Sequence, residues 1–197
     1  MTATNAGFEE RGDTEFLFDF DQYERMDQAG VFDDVSGHVE LIEGKIIHMA
    51  PASLDHGEVT LNVGAALKSA IRGLSPPSAL KVFAGSTLKL GRYSAPDPDV
   101  LVARAPAGKY AEADAAVLVV EVSISSLGND LTVKSRLYAK SGVPEYWVAE
   151  PEARRLTVFS QPRPDGSWGQ TAVHEGEAAA VSPLFAPEVR IPLSELF

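Results

Sequence analysis

The sequence predicts an α/β domain built on a mixed central β-sheet, flanked by helices and carrying added β-hairpins. Three observations carry this expectation. AVLVVEVS (116–123) is the most continuous apolar β run, the pattern of a strand covered on both faces. A helical stretch over about 129–141 separates it from EYWVAE (145–150), and that strand–helix–strand order is long enough for a right-handed parallel crossover. RRLTVFSQ (154–161) and GQTAVHE (169–175) flank a turn with Asp165-Gly166 at its tip, which reads as a hairpin.

The other elements follow in chain order. FDFDQYERMDQAG (18–30) is a short helix with Asp19 or Asp21 as its cap and Gly30 at its close. HVELIEGKIIHMA (38–50) is two β-rich pieces joined by an acidic-Gly turn at Glu43-Gly44-Lys45. In 54–74, Val59, Val63, Ala66, Leu67, Ala70 and Ile71 recur at helical spacing up to Gly73, so one face of that helix is buried. SPPS (75–78) is a loop; 79–91 is strand-like with a break at Gly85-Ser86; 96–105 turns through PDPD into an apolar strand. Gly142 and Pro144 end the helix that precedes EYWVAE.

Composition bounds the chemistry. A chain of 197 residues with 45% hydrophobic content suits one compact domain, expected over 16–197, behind a flexible acidic tail over 1–15. No apolar run is long enough to span a bilayer and the first residues are polar and acidic, so we expect a soluble cytoplasmic protein. Zero cysteines exclude disulfides and thiolate zinc sites, which leaves carboxylates, histidine and water for any metal and favours magnesium or manganese. A net charge of -11 argues against a broad basic face for DNA, although it averages over a surface on which a cleft is local.

The candidate chemistry begins with Asp99 and Glu121, each at one end of an apolar strand. If those strands are neighbours, both carboxylates converge on one sheet edge, the minimum set for a magnesium ion that also keeps waters and phosphate oxygens. The structural alternative is a turn aspartate and a strand-end charge. On the following helix Asp130, Lys134 and Tyr138 share a face, and Lys134 could present a point charge to a phosphate or to the attacking water. Its alternative is an exposed Asp130–Lys134 pair worth about 0.3–0.5 kcal/mol. Ser123, Ser125 and Ser126 carry no G-x-S-x-G elbow, so a serine hydrolase is not indicated, and serines at such a junction commonly cap the helix.

Pro98-Asp99, Glu121-Val122-Ser123 at the end of an apolar strand, then Asp130, Lys134, Tyr138 and GVPEYWVAEP together resemble the PD-(D/E)XK nuclease superfamily. More narrowly they resemble its small bacterial branch described as putative restriction endonucleases, formerly a domain of unknown function. The resemblance covers about 18–160 and implies a restriction-endonuclease-like fold. In that branch the strand lysine is supplied from the next helix; here Ser123 stands at the strand position and Lys134 is the replacement. The resemblance also implies Glu40 as an acid approaching the metal and His56 as a neighbour of the site, where His56 alone reads as a hydrogen-bonding residue at a helix start. Asp97 competes with Asp99 for the motif aspartate, and Glu43 with Glu40.

The function this implies is Mg2+- or Mn2+-dependent hydrolysis of DNA phosphodiesters. Asp99, Glu121 and Glu40 would hold the metal, Lys134 would serve as the electrostatic group, and Ser123, His56 and Tyr138 would stand behind them. The alternative is an inactive nuclease-fold binding or assembly module. A homodimer through GVPEYW and the segment ending VRIPLSELF is a further expectation.

Overall fold

The computed structural model describes residues 15–75, 78–105, 108–176 and 178–197. The acidic tail expected over 1–15 therefore lies almost entirely outside the described residues. Helix α1 (Phe20–Gln28) starts at Asp19, whose carboxylate accepts from the Gln22 amide while the Gln22 side chain reaches back to the Asp19 amide. This reciprocal box satisfies two amides that would otherwise lack partners. Strands β1 (His38–Ile42) and β2 (Lys45–Met49) pair antiparallel across a turn where Glu43 (φ 48°) and Gly44 (φ 81°) both adopt positive φ. Helix α2 (Leu54–Arg72) is capped by Ser53 and buries Val59, Val63 and Leu67.

Next come β3 (Leu80–Ala84), β4 (Leu88–Lys89), β5 (Val100–Arg104), β6 (Ala111–Glu112) and β7 (Ala116–Val122). The chain then forms one helical segment over 127–140: α3 (Leu127–Asn129), a π-helical turn (Asp130–Lys134) and α4 (Ser135–Lys140). Strands β8 (Glu145–Glu150), β9 (Arg155–Pro162) and β10 (Trp168–Glu175) follow, with β11 (Ala180–Val181) and β12 (Ile191–Pro192) near the end. The main sheet has the order β10-β9-β8-β7-β5-β3. β7 and β8 are parallel, as the helical crossover between them requires, and the other pairs are antiparallel.

Both faces of this sheet are covered, which is why β7 reads as an unbroken apolar run. On one face, Val100, Val102, Leu118, Val120 and Trp147 pack against α2 and against Ile191, Leu193 and Leu196. On the other, Leu101, Val119, Tyr146 and Val148 pack against Leu137 and Tyr138. Fully burying one such aliphatic side chain contributes about 1.5–3 kcal/mol.

One detail differs from the sequence expectation. The stretch 79–91 is not one interrupted strand of the sheet: after Gly85, β4 leaves it and pairs in parallel with β6. In GVPEYW and the segment ending VRIPLSELF, Val143, Tyr146, Trp147 and Leu196 are fully buried in the protomer's own core. Among the described residues no helix is long and apolar enough to cross a membrane.

Candidate active site

The register of the sheet brings the first two carboxylates together. Val100 on β5 faces Val120 on β7 in an antiparallel pair, so Asp99 and Glu121, one residue further along each strand, meet at the sheet's edge. The Asp99 carboxylate accepts the Val122 amide at 2.6 Å, which fixes it across the end of β7. Glu121 is buried on the face that Tyr138 covers, and Oε1 accepts the Tyr138 hydroxyl at 2.7 Å. Tyr138 is therefore both a core side chain and a donor to the site.

Lys134 does not lie on a solvated face paired with Asp130. It is 2% exposed, and its Nζ donates to Glu121 Oε1 at 3.1 Å and to Glu40 Oε1 at 3.2 Å. Glu40 comes from β1, a separate hairpin joined to the body through the Leu41–Ala95 bridge, so two separate strands, β1 and β7, each bring a carboxylate to one ammonium. Glu43 instead sits in the β1–β2 turn and pairs with Arg136 at 2.9 Å, half exposed. Asp130 is buried by a different set of partners: the hydroxyls of Ser123 and Ser126 both donate to Oδ2. These serines thus bind the Asp130 side chain; Ser126, at the position preceding the helix, makes no side-chain cap bond. The π turn lies at this point, with the Ser135 amide reaching back to the Asp130 carbonyl, which also accepts Tyr146 Oη at 3.0 Å.

His56 is more than a helix-start residue. Its amide caps onto Ser53, while Nε2 stands 3.1 Å from Asp99 Oδ1. Asp97 lines the same cleft, and its amide donates to Glu40 Oε1 at 3.1 Å. His38, which the sequence reading did not single out, has Nε2 3.7 Å from Glu40 Oε1. The available signal was its position two residues before Glu40 on one strand, which places both on the same face. Glu40, Asp97, Asp99, Glu121 and Lys134, with His38 and His56, line an open cleft of about 230 Å³ between the β1–β2 hairpin, the start of α2 and the end of β7, while Ser123 and Tyr138 stand behind its wall.

Residues 20–194 match the family described as "Uma2: Putative restriction endonuclease". The chain belongs to that family. Among solved structures, one similar chain is described as a putative nuclease belonging to DUF820 from Anabaena variabilis ATCC 29413, with a TM-score of 0.65 and 20% identity. The match covers 82% of this chain and 90% of that one, and it shows that the Uma2 chain shares the other's mixed α/β fold. No curated protein matches.

The electrostatics of this Uma2 cleft follow from burial and pairing. Burial pushes the Glu121 carboxyl well above its usual range, against the pull of Lys134. Burial also works to raise Glu40, but His38, Lys134 and the Asp97 amide hold it below. Lys134 stays charged because Glu121 and Glu40 outweigh its desolvation. His56 is raised by its bond to Asp99 and His38 by its bond to Glu40, with burial opposing both.

The donor set fits a hard cation held in part by the protein. Among the described residues, no three His, Asp or Glu side chains form a ready-made cage. Magnesium commonly uses one or two carboxylates and completes its shell with water and phosphate oxygens. Glu40 Oε2 and Asp97 Oδ1 are buried without a hydrogen-bond partner, and an uncompensated buried carboxylate oxygen of this kind is satisfied by a cation or a donor.

Proposed function

We propose that this protein is a metal-dependent endonuclease that hydrolyses DNA phosphodiester bonds. The observation that carries the reading is the convergence of Asp99, Glu121 and Glu40 in one cleft around a buried, charged Lys134. Membership of a family described as restriction endonucleases supports the same substrate.

In this reading Asp99 and Glu121 hold magnesium or manganese, with Glu40 as a further or water-mediated ligand. When bound, such an ion stabilises charge on a phosphate and lowers the pKa of a water. Lys134 supplies one fixed positive charge where the phosphate gains negative charge, and Glu121 and Glu40 hold its Nζ in place from two sides. Tyr138 fixes the Glu121 carboxylate, and the Val122 amide fixes that of Asp99, so neither side chain has to reorganise as the water adds and the ester oxygen leaves. Ser123 acts at one remove by holding Asp130, whose charge favours the lysine's protonated form.

The test is nicking or linearisation of plasmid DNA by purified protein with magnesium or manganese. Asp99→Ala, Glu121→Ala and Lys134→Ala should each lower the rate by more than about a hundredfold. Undiminished cleavage in all three would overturn the reading. No cleavage by the unaltered protein, with duplex binding retained, would identify a nuclease-fold binding module instead.

A further inference from the structure

Beside the candidate cleft lies a second pocket of about 250 Å³, and the two share His38 and Asp97 as a common wall. Its character is different. Tyr23 and Phe32 stand with ring centroids 5.8 Å apart and tilted by 31°, and Tyr110 closes another side. The Tyr23 ring is fixed at its far end, because its hydroxyl donates to the Val39 carbonyl at 2.7 Å. Among these rings sit carboxylate acceptors. Glu24 Oε1 takes the Tyr110 hydroxyl at 3.0 Å and the Lys109 ammonium at 3.4 Å, and the carboxylates of Asp27 and Asp33 line the same pocket.

We infer that this pocket receives one unpaired, amino-bearing base of the DNA substrate, stacked on its aromatic rings with its amine donated to carboxylate oxygen. The inference rests on the nuclease reading for its substrate, but on separate residues for its chemistry. Asp27, Asp33 and Asp97 line the pocket beside the Glu24–Lys109 pair, and their charge disfavours a phosphate, whereas a base is neutral. Each base has an apolar face to offer a ring. Cytosine and adenine carry an exocyclic amine that a carboxylate accepts, whereas thymine presents a carbonyl oxygen there and would leave two acceptors opposed. The shared wall sets such a base next to the phosphate that Asp99, Glu121 and Lys134 address. The pocket would therefore choose which phosphate of a strand enters the cleft.

Binding of labelled duplexes to the full chain, read by fluorescence anisotropy at low salt in a calcium buffer, tests this. Three duplexes are compared: fully paired, with one central unpaired cytosine, and with one central unpaired thymine. The unpaired cytosine should bind at least about fivefold more tightly than either other duplex, the lower end of what stacking one base contributes. Phe32→Ala should bring all three to within about twofold, with circular dichroism confirming the fold. Glu24→Gln, which keeps the pocket's shape, should reduce the preference for cytosine over thymine. Equal affinity for the three duplexes, no binding of any, or a preference that survives both variants would overturn the inference. Plasmid cleavage measured in parallel separates the two readings. Cleavage with no base preference removes the pocket and leaves the nuclease, whereas a base preference without cleavage does the reverse.

Discussion

Replacing Lys134 with methionine keeps most of the side chain's volume and removes its charge. Lys134 is 2% exposed, Glu40 1% and Glu121 3%, so at the floor of the cleft little water stands by to replace the ammonium. Removing one partner of a buried ion pair costs about 3–5 kcal/mol, because the remaining charge is left uncompensated. Glu121 offsets part of this by taking up a proton, since burial already pushes it upward, but the Glu40 Oε2 atom has no partner even with the lysine present. We expect a net loss of about 3 kcal/mol at pH 8, or about 6–12 °C in Tm for a chain of this size. The sign with pH follows. Without Lys134 the folded carboxyls bind protons more tightly than the unfolded ones, so the variant's deficit shrinks at pH 5 and grows as pH rises through the folded pKa. Thermal unfolding followed by circular dichroism at both pH values measures it, and adding Glu121→Gln to Lys134→Met should recover part of the loss. A deficit under about 0.5 kcal/mol at pH 8, the size expected of an exposed pair, would refute the reasoning. So would an equal deficit at both pH values.

Glu145 offers a second pH signature: buried between the Trp147 indole N–H and the Leu184 amide, each at 2.8 Å, its carboxyl is pushed up to about 7 by burial. A raised acid stabilises the fold fully below its unfolded pKa and loses that contribution as pH rises through 7, so wild-type stability should fall by roughly 3 kcal/mol across this window. Denaturant titrations of Glu145→Gln should show that component gone. Gly37 has φ +92° and an added Cβ would stand 2.1 Å from the Met49 carbonyl oxygen, so Gly37→Ala should cost about 2 kcal/mol or more in urea unfolding. Glu43→Gln should change stability by less than about 0.5 kcal/mol in the same assay, because its pair with Arg136 is half exposed. It should also leave plasmid cleavage intact, whereas Glu40→Gln should reduce it.

The parts of the fold that were legible in the sequence are those where one local pattern fixes the outcome. The apolar run of β7, the Glu43-Gly44 turn and the spacing of Val59, Val63 and Leu67 each report burial or chain reversal without reference to distant residues. What escaped depends on partners far along the chain. Alternation can place Glu40 on a face, but not state that the face meets a lysine 94 residues away. The apolar residues near the end of the chain announce burial without saying against what; Ile191, Leu193 and Leu196 pack into the core over β5 and β7. The local pattern of His56 shows only a helix start; its place beside the site came from the family resemblance, because the contact with Asp99 spans the fold. The two-residue pairing of β4 with β6 leaves almost no periodic trace.

The π turn at Asp130–Lys134 gives the helix a phase that its composition does not record. An α-helix rotates by about 100° per residue. Deleting a single residue between Ser126 and Asp130, ahead of the π turn, would therefore swing the lysine off its carboxylates while Asp130, Lys134 and Tyr138 were all retained. Spacing, more than identity, is thus what a relative must preserve. Length variation in this short segment would divide chains that keep an assembled charge cluster from those that carry the same letters with the ammonium turned away.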